Sequence, residues 1–152
     1  MLYRALLFFS LCVAVRSDYV TKKFCRDVDP TLCTVHQVTV DPCPHGPRFC
    51  SFISGKTYGI NVDFTPHFTA EKLHLAISGD HLNQDSYTII KATKRVCEGL
   101  LVCPLEHSVR HNFDLSLAMD IPSPGKFPVQ VKLWNEEDES QACCFTFHAK
   151  VK

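Results

Sequence analysis

Apolar and polar residues alternate with period two along most of this chain. In "YGINVDF" one side carries Tyr58, Ile60, Val62 and Phe64, and in "KLHLAISG" Leu73, Leu75 and Ile77 line up while His74 and Ser78 point the other way. The longest run, "NFDLSLAMDI", sets Phe113, Leu115, Leu117, Met119 and Ile121 against Asp114, Ser116 and Asp120. "FPVQVKLW" aligns Phe127, Val129, Val131 and Leu133, and "FTFHAKV" aligns Phe145, Phe147, Ala149 and Val151. Successive side chains of a strand face opposite ways, so each run predicts a strand with one buried side. "HQVTV" and "SYTII" fit shorter strands. Beyond residue 17 no segment sustains the i, i+3, i+4, i+7 spacing of an amphipathic helix.

Turn-forming clusters separate the strands: "DPCPHGP", "TPHF", "SGDHLNQD", "IPSPGK" and "NEEDES". Proline, glycine, asparagine and aspartate supply the fixed or unusual backbone angles that reversals need. Short strands at this spacing predict an all-β fold, a sandwich of two antiparallel sheets. There is no internal repeat and no linker, and 152 residues suit one domain.

The N-terminus breaks the pattern. "MLYRALLFFSLCVAVRS" has a basic residue at Arg4 and then an apolar run from Ala5 to Val15, followed by small residues. The run is shorter than the roughly 20 apolar residues that span a bilayer. Residues 1–17 are therefore expected to be a signal peptide and 18–152 the working domain, secreted to the extracellular space or delivered to an endosomal or lysosomal lumen. No N-x-S/T sequon is present, so an N-linked glycan address is not supported and extracellular secretion is the default.

Residues 1–17 hold Arg4 and Arg16 and no acidic residue, so residues 18–152 carry 14 basic against 16 acidic side chains. A net charge near zero with scattered lysines and arginines argues against nucleic acid as a partner.

Cysteine usage adds the next constraint. Cys12 lies in the leader, which leaves Cys25, Cys33, Cys43, Cys50, Cys97, Cys103, Cys143 and Cys144. An even number in an exported chain predicts a disulfide framework. No C-x-x-C pair is available for zinc, and no metal or cofactor is expected. The chain contains neither a G-x-S-x-G elbow nor H-E-x-x-H. Its eight histidines are scattered, mostly at outward or loop positions, and no enzyme activity is expected.

Three cysteine-bearing stretches, "VTVDPCPHGPRFC", "CEGLLVCPL" and "ACCFTFHAKV", occur in that order. They resemble the signatures of the ML lipid-recognition domain, the family of Niemann–Pick type C2 sterol-transfer proteins, group 2 mite allergens and the lipid A co-receptor. The resemblance spans about Cys25 to Val151. It implies an immunoglobulin-like sandwich whose sheets splay around an internal apolar cavity. It implies disulfides Cys43–Cys50 and Cys97–Cys103, and a bridge from the N-terminal segment to the last strand. This chain has two candidates at each end, and alternation puts Cys143 and Cys144 on opposite faces; Cys25–Cys144 with Cys33–Cys143 is favoured, the reverse pairing being the alternative.

The same resemblance implies a lipid held between the sheets. The mouth would be lined by Phe113, Leu117, Met119, Ile121 and Pro122 with Tyr87 and Ile89, and the deeper wall by Val62, Phe64, Leu75, Val131, Phe145 and Phe147. The expected partner is a sterol, a fatty acid or a related lipid, with a membrane or receptor accepting the cargo and a monomer carrying it. Two departures change the rim: "CPLEHSV" lacks the glycine found after C-P-L, and "NQDSYTIIKATKRVC" is polar and free of proline. The alternative function is glycolipid recognition in innate immunity, with Lys91, Lys94 and Arg95 as a basic rim.

Overall fold

A computed structural model describes residues 19–121 and 124–152. The leader expected at residues 1–17, and Pro122, lie outside the described residues.

The alternating runs become strands stacked as two sheets. The smaller sheet has the order β2-β4-β7, from β2 (Cys33–Asp41), β4 (Thr57–Pro66) and β7 (His111–Ala118). The larger has the order β1-β9-β8-β5-β6, from β1 (Lys23–Phe24), β9 (Ala142–Val151), β8 (Gly125–Asn135), β5 (Leu73–Gly79) and β6 (Thr88–Thr93). The short β3 (Cys50–Phe52) joins the outer side of β9 in parallel, while the other pairings are antiparallel. The strand expected at 58–64 runs on through Thr65 and Pro66, which pair with Thr34 and Cys33, so the "TPHF" turn starts later than its proline suggests. β7 stops at Ala118, although the alternation continues to Ile121. Met119 there donates to the Lys56 carbonyl and accepts from the Gly55 amide, at 3.0 and 2.8 Å, so its backbone leaves the ladder for a neighbouring turn.

The inward residues of both sheets form one core. Phe52, Phe64, Phe127 and Phe147 are its largest fully buried members. Aromatic pairs pack edge to face in it, Phe52 on Tyr58 at 4.5 Å and Phe64 on Phe113 at 5.7 Å, the arrangement that ring quadrupoles favour.

Four disulfides fasten this core: Cys25–Cys144, Cys33–Cys143, Cys43–Cys50 and Cys97–Cys103. Cys143 pairs across the ladder with Leu133 and faces the core, which lets it reach Cys33 of β2 in the opposite sheet. Cys144 pairs with Lys132 on the other side and ties the chain after β1 to β9. The two adjacent cysteines thus serve different faces, as alternation requires.

Candidate functional site

Val62 and Phe64 come from β4, Leu75 from β5, Phe113 and Leu117 from β7, Val131 from β8, and Phe145 and Phe147 from β9. Met119 and Ile121 follow β7. These residues belong to one inter-sheet cluster, and none is more than 4% exposed. The two oily walls meet over this area rather than standing apart. The reason is energetic: a void of about 300 Å³ would cost about 7 kcal/mol at ~24 cal/mol per Å³.

Coverage fails at one edge. β6 ends the larger sheet and β7 ends the smaller one. Every residue of β6 is exposed or half-buried, whereas β7 keeps Phe113, Leu115 and Leu117 buried. Lys91 of β6 pairs with Ile77, so it takes the core-facing side of its sheet. Its ammonium crosses to the other sheet and donates to the Ser116 carbonyl of β7. The seam between β6 and β7 is therefore bridged by a flexible lysine, and half-buried Ile90 of β6 packs against the core.

Two residues expected at the mouth lie elsewhere. The ladder between β5 and β6 shifts between Ile77 and Ser78, so Ile90 becomes the extra residue and Ile89 pairs with Ser78 on the outer face. Ile89 is 65% exposed. Tyr87 precedes β6 and lines a cleft on the outer face of the larger sheet with Pro128, Gln130, Thr146 and His148. A bulge flips the face on which every later side chain falls, and simple alternation over "SYTII" gives no sign of one. Sequence reasoning assigned Lys91 to a basic rim but missed its bridge to β7. Arg95 of that rim lies 3.5 Å from Glu98.

The outer faces are polar and internally paired. On the smaller sheet Arg110 grips Asp63 with Nε at 2.8 Å from Oδ1 and a second bond from Nη2 to Oδ2. These Arg110 hydrogen bonds hold the Asp63 carboxyl below the usual carboxylate range, against a smaller opposing effect of burial. His36 bonds Thr65 at 2.8 Å and His67 bonds Thr34 at 2.9 Å. Among the described residues no cluster of three or more His, Cys, Asp or Glu could hold a metal ion. No helix among them is long and apolar enough to cross a membrane.

The chain and its fold have counterparts among known proteins. Residues 20–151 match the ML domain family. The chain belongs to the ML-domain family. An MD-2-related lipid-recognition protein of Manduca sexta is 29% identical over 130 residues, 84% of this chain and 82% of the relative. A Niemann-Pick type C2 protein from the Japanese carpenter ant shares the fold with a TM-score of 0.71 at 18% identity, covering 87% of this chain and 99% of that one. Chicken MD-1, solved with lipid IVa, has a TM-score of 0.54 at 13% identity, covering 85% and 87%. Such identities between solved ML-type sandwiches and this chain establish shared architecture, and membership of a lipid-recognition family supports lipid binding.

Proposed function

We propose that this protein is an exported carrier that binds one sterol, or another apolar lipid of similar bulk, between its two β-sheets and releases it to a membrane or an acceptor protein. The observation that carries this reading is the seam: continuous apolar walls end at an edge where β6 leaves the core thinly covered and the Lys91 side chain reaches across. Val62, Phe64, Leu75, Phe113, Leu117, Met119, Ile121, Val131, Phe145 and Phe147 are the wall that a lipid would part. Met119 suits a variable guest, since an unbranched thioether adapts to irregular shapes.

The energetics are compatible with a carrier. Covering about 300 Å² of apolar lipid surface at ~25 cal/mol per Å² is worth roughly 7 kcal/mol before association costs. Parting walls already in contact offsets some of that gain, which favours loading and release over permanent capture. Glycolipid recognition through a basic rim is less well supported, because Lys91 is engaged by the Ser116 carbonyl across the seam.

Titration of the purified protein with the fluorescent sterol dehydroergosterol tests the reading. Saturable one-to-one binding is expected, with affinity falling about tenfold or more in Leu117→Trp, which adds bulk where a lipid would part the walls, and unchanged in Ile89→Trp on the outer face. Absence of saturable binding of both dehydroergosterol and palmitate would overturn it.

A further inference from the structure

The outer face of the larger sheet carries a second concavity, of about 680 Å³, separate from the inter-sheet core. Outward residues of β8 and β9 make its floor. One wall is β1 and the segment that follows it, with Lys23, Phe24 and Arg26, and the other is the loop entering β6, with Asp85 and Tyr87.

The second wall is built in place. Asp80 is only 2% exposed, and its two carboxylate oxygens accept from the Gln84 and Asp85 amides at 3.0 and 2.9 Å. Asn83 donates from Nδ2 to the Lys126 carbonyl at 3.1 Å, anchoring the same loop to β8. Over the top, Arg26 and Asp85 approach to 3.6 Å with side chains 91% and 81% exposed. Such an exposed ion pair is weak and yields readily to a ligand that satisfies both charges.

The cleft carries charges of both signs. Burial pushes the Tyr87 phenol up, the fields of Asp80, Asp85 and Asp27 add to it, and Arg26 opposes. Around His148 burial acts first and then Lys126 and Lys23, pushing the imidazole down. Asp85 and the Tyr87 ring thus stand together with Arg26 paired to that carboxylate, and Lys23 adds a second cation on the His148 side of the cleft. Phe24, 51% exposed, adds a second ring to the lining.

We infer that this outer cleft is a binding site for a zwitterion of the phosphocholine type, its quaternary ammonium taken by Asp85 and the ring of Tyr87 and its phosphate by Arg26, Lys23 and His148. Carboxylates and aromatic faces together attract quaternary ammonium groups, and a guanidinium matches phosphate geometry. The ligand exchanges the internal Arg26–Asp85 pair for two pairs of its own. The inference is independent of what lies between the sheets.

Phosphocholine titrated into the purified protein, followed by nuclear magnetic resonance shifts of Tyr87 and His148, provides the test. Saturable shifts at both residues are expected, with choline alone and inorganic phosphate alone each binding about tenfold or more weakly. Asp85→Asn and Arg26→Gln should each weaken phosphocholine about fivefold or more. Both positions are exposed, and unchanged circular dichroism would show that the fold is kept. Leu117→Trp, which adds bulk where a lipid would part the inner walls, should leave phosphocholine binding unaltered wherever its circular dichroism is unchanged. Phosphatidylcholine vesicles that bind the protein, and lose it in the same two variants, would assign a membrane headgroup. Binding of glycerophosphocholine without binding of vesicles would assign a soluble source. No shift at either residue up to millimolar phosphocholine, or equal affinity in both variants, would overturn the site.

Discussion

At Gly79 of β5 an added Cβ would meet the His81 ring at 3.0 Å and the Phe127 ring at 3.1 Å. Those rings pack edge to face at 4.5 Å and cap the end of the core where β5 turns toward the Asp80 loop. Neither ring can retreat without disturbing Phe127, which is 1% exposed. Gly79→Ala should therefore destabilise the protein by about 1–3 kcal/mol, the usual cost of overpacking, as measured by urea denaturation. Leu117 and Met119 pose the opposite case. Each is essentially closed to water, and truncation to alanine should cost about 2–5 kcal/mol. If these residues form the lipid wall, a bound lipid fills part of the space they vacate. Excess dehydroergosterol should then recover more stability in Leu117→Ala than in Gly79→Ala; equal recovery would argue against contact between Leu117 and the lipid.

At the scale of elements, the disulfides and the seam have different tasks. Cys33–Cys143 spans 110 residues and joins the two sheets, whereas Cys43–Cys50 spans 7 and fixes a single turn. By loop-closure entropy the first is worth about 5 kcal/mol and the second about 2.5. Serine replacement of both Cys33 and Cys143 should accordingly lower the denaturation midpoint more than replacement of Cys43 and Cys50. The seam is weaker: its cross-sheet tie is the Lys91 hydrogen bond to Ser116, worth about 0.5–1.5 kcal/mol. Lys91→Met should speed exchange of bound dehydroergosterol between protein and vesicles by about two- to tenfold while leaving the fold intact. Stopped-flow transfer measurements would detect that change, and an unaltered rate would show that β6 is not the gate.

At the scale of the whole molecule, pH acts through the outer faces. The folded protein lowers the His148 pKa, so the unfolded chain takes up that proton first. The stability contributed by neutral His148 is complete above ~6.5 and is lost as pH falls below that value. Asp63 behaves as a depressed carboxylate, its contribution present above the ordinary carboxylate range and lost as pH falls through its lowered folded value. Melting temperature should thus decline from pH 7 to pH 5, less steeply in His148→Asn, and drop again in strong acid through Asp63. His36, His67 and His74 bond Thr65, Thr34 and Glu136 on outer surfaces rather than facing the inner walls. The ring of His111, by contrast, packs against Phe64 of the inner wall at 5.9 Å.

Alternation placed Val62, Phe64, Leu117 and Phe147 on inward faces because a strand's period of two is a local property of the backbone. The opposite facing of Cys143 and Cys144 follows from the same local geometry, and the order of the cysteine motifs carried the family. What the chain could not reveal by itself was long-range register. The shift between Ile77 and Ser78 moved Ile89 outside and brought Lys91 to the core-facing side, and only pairing with β5 decides that. The cleft beneath Arg26 and Asp85 likewise joins residues 59 positions apart in sequence. Its existence depends on two loops meeting over one sheet, a consequence of tertiary packing that no local pattern of side chains encodes.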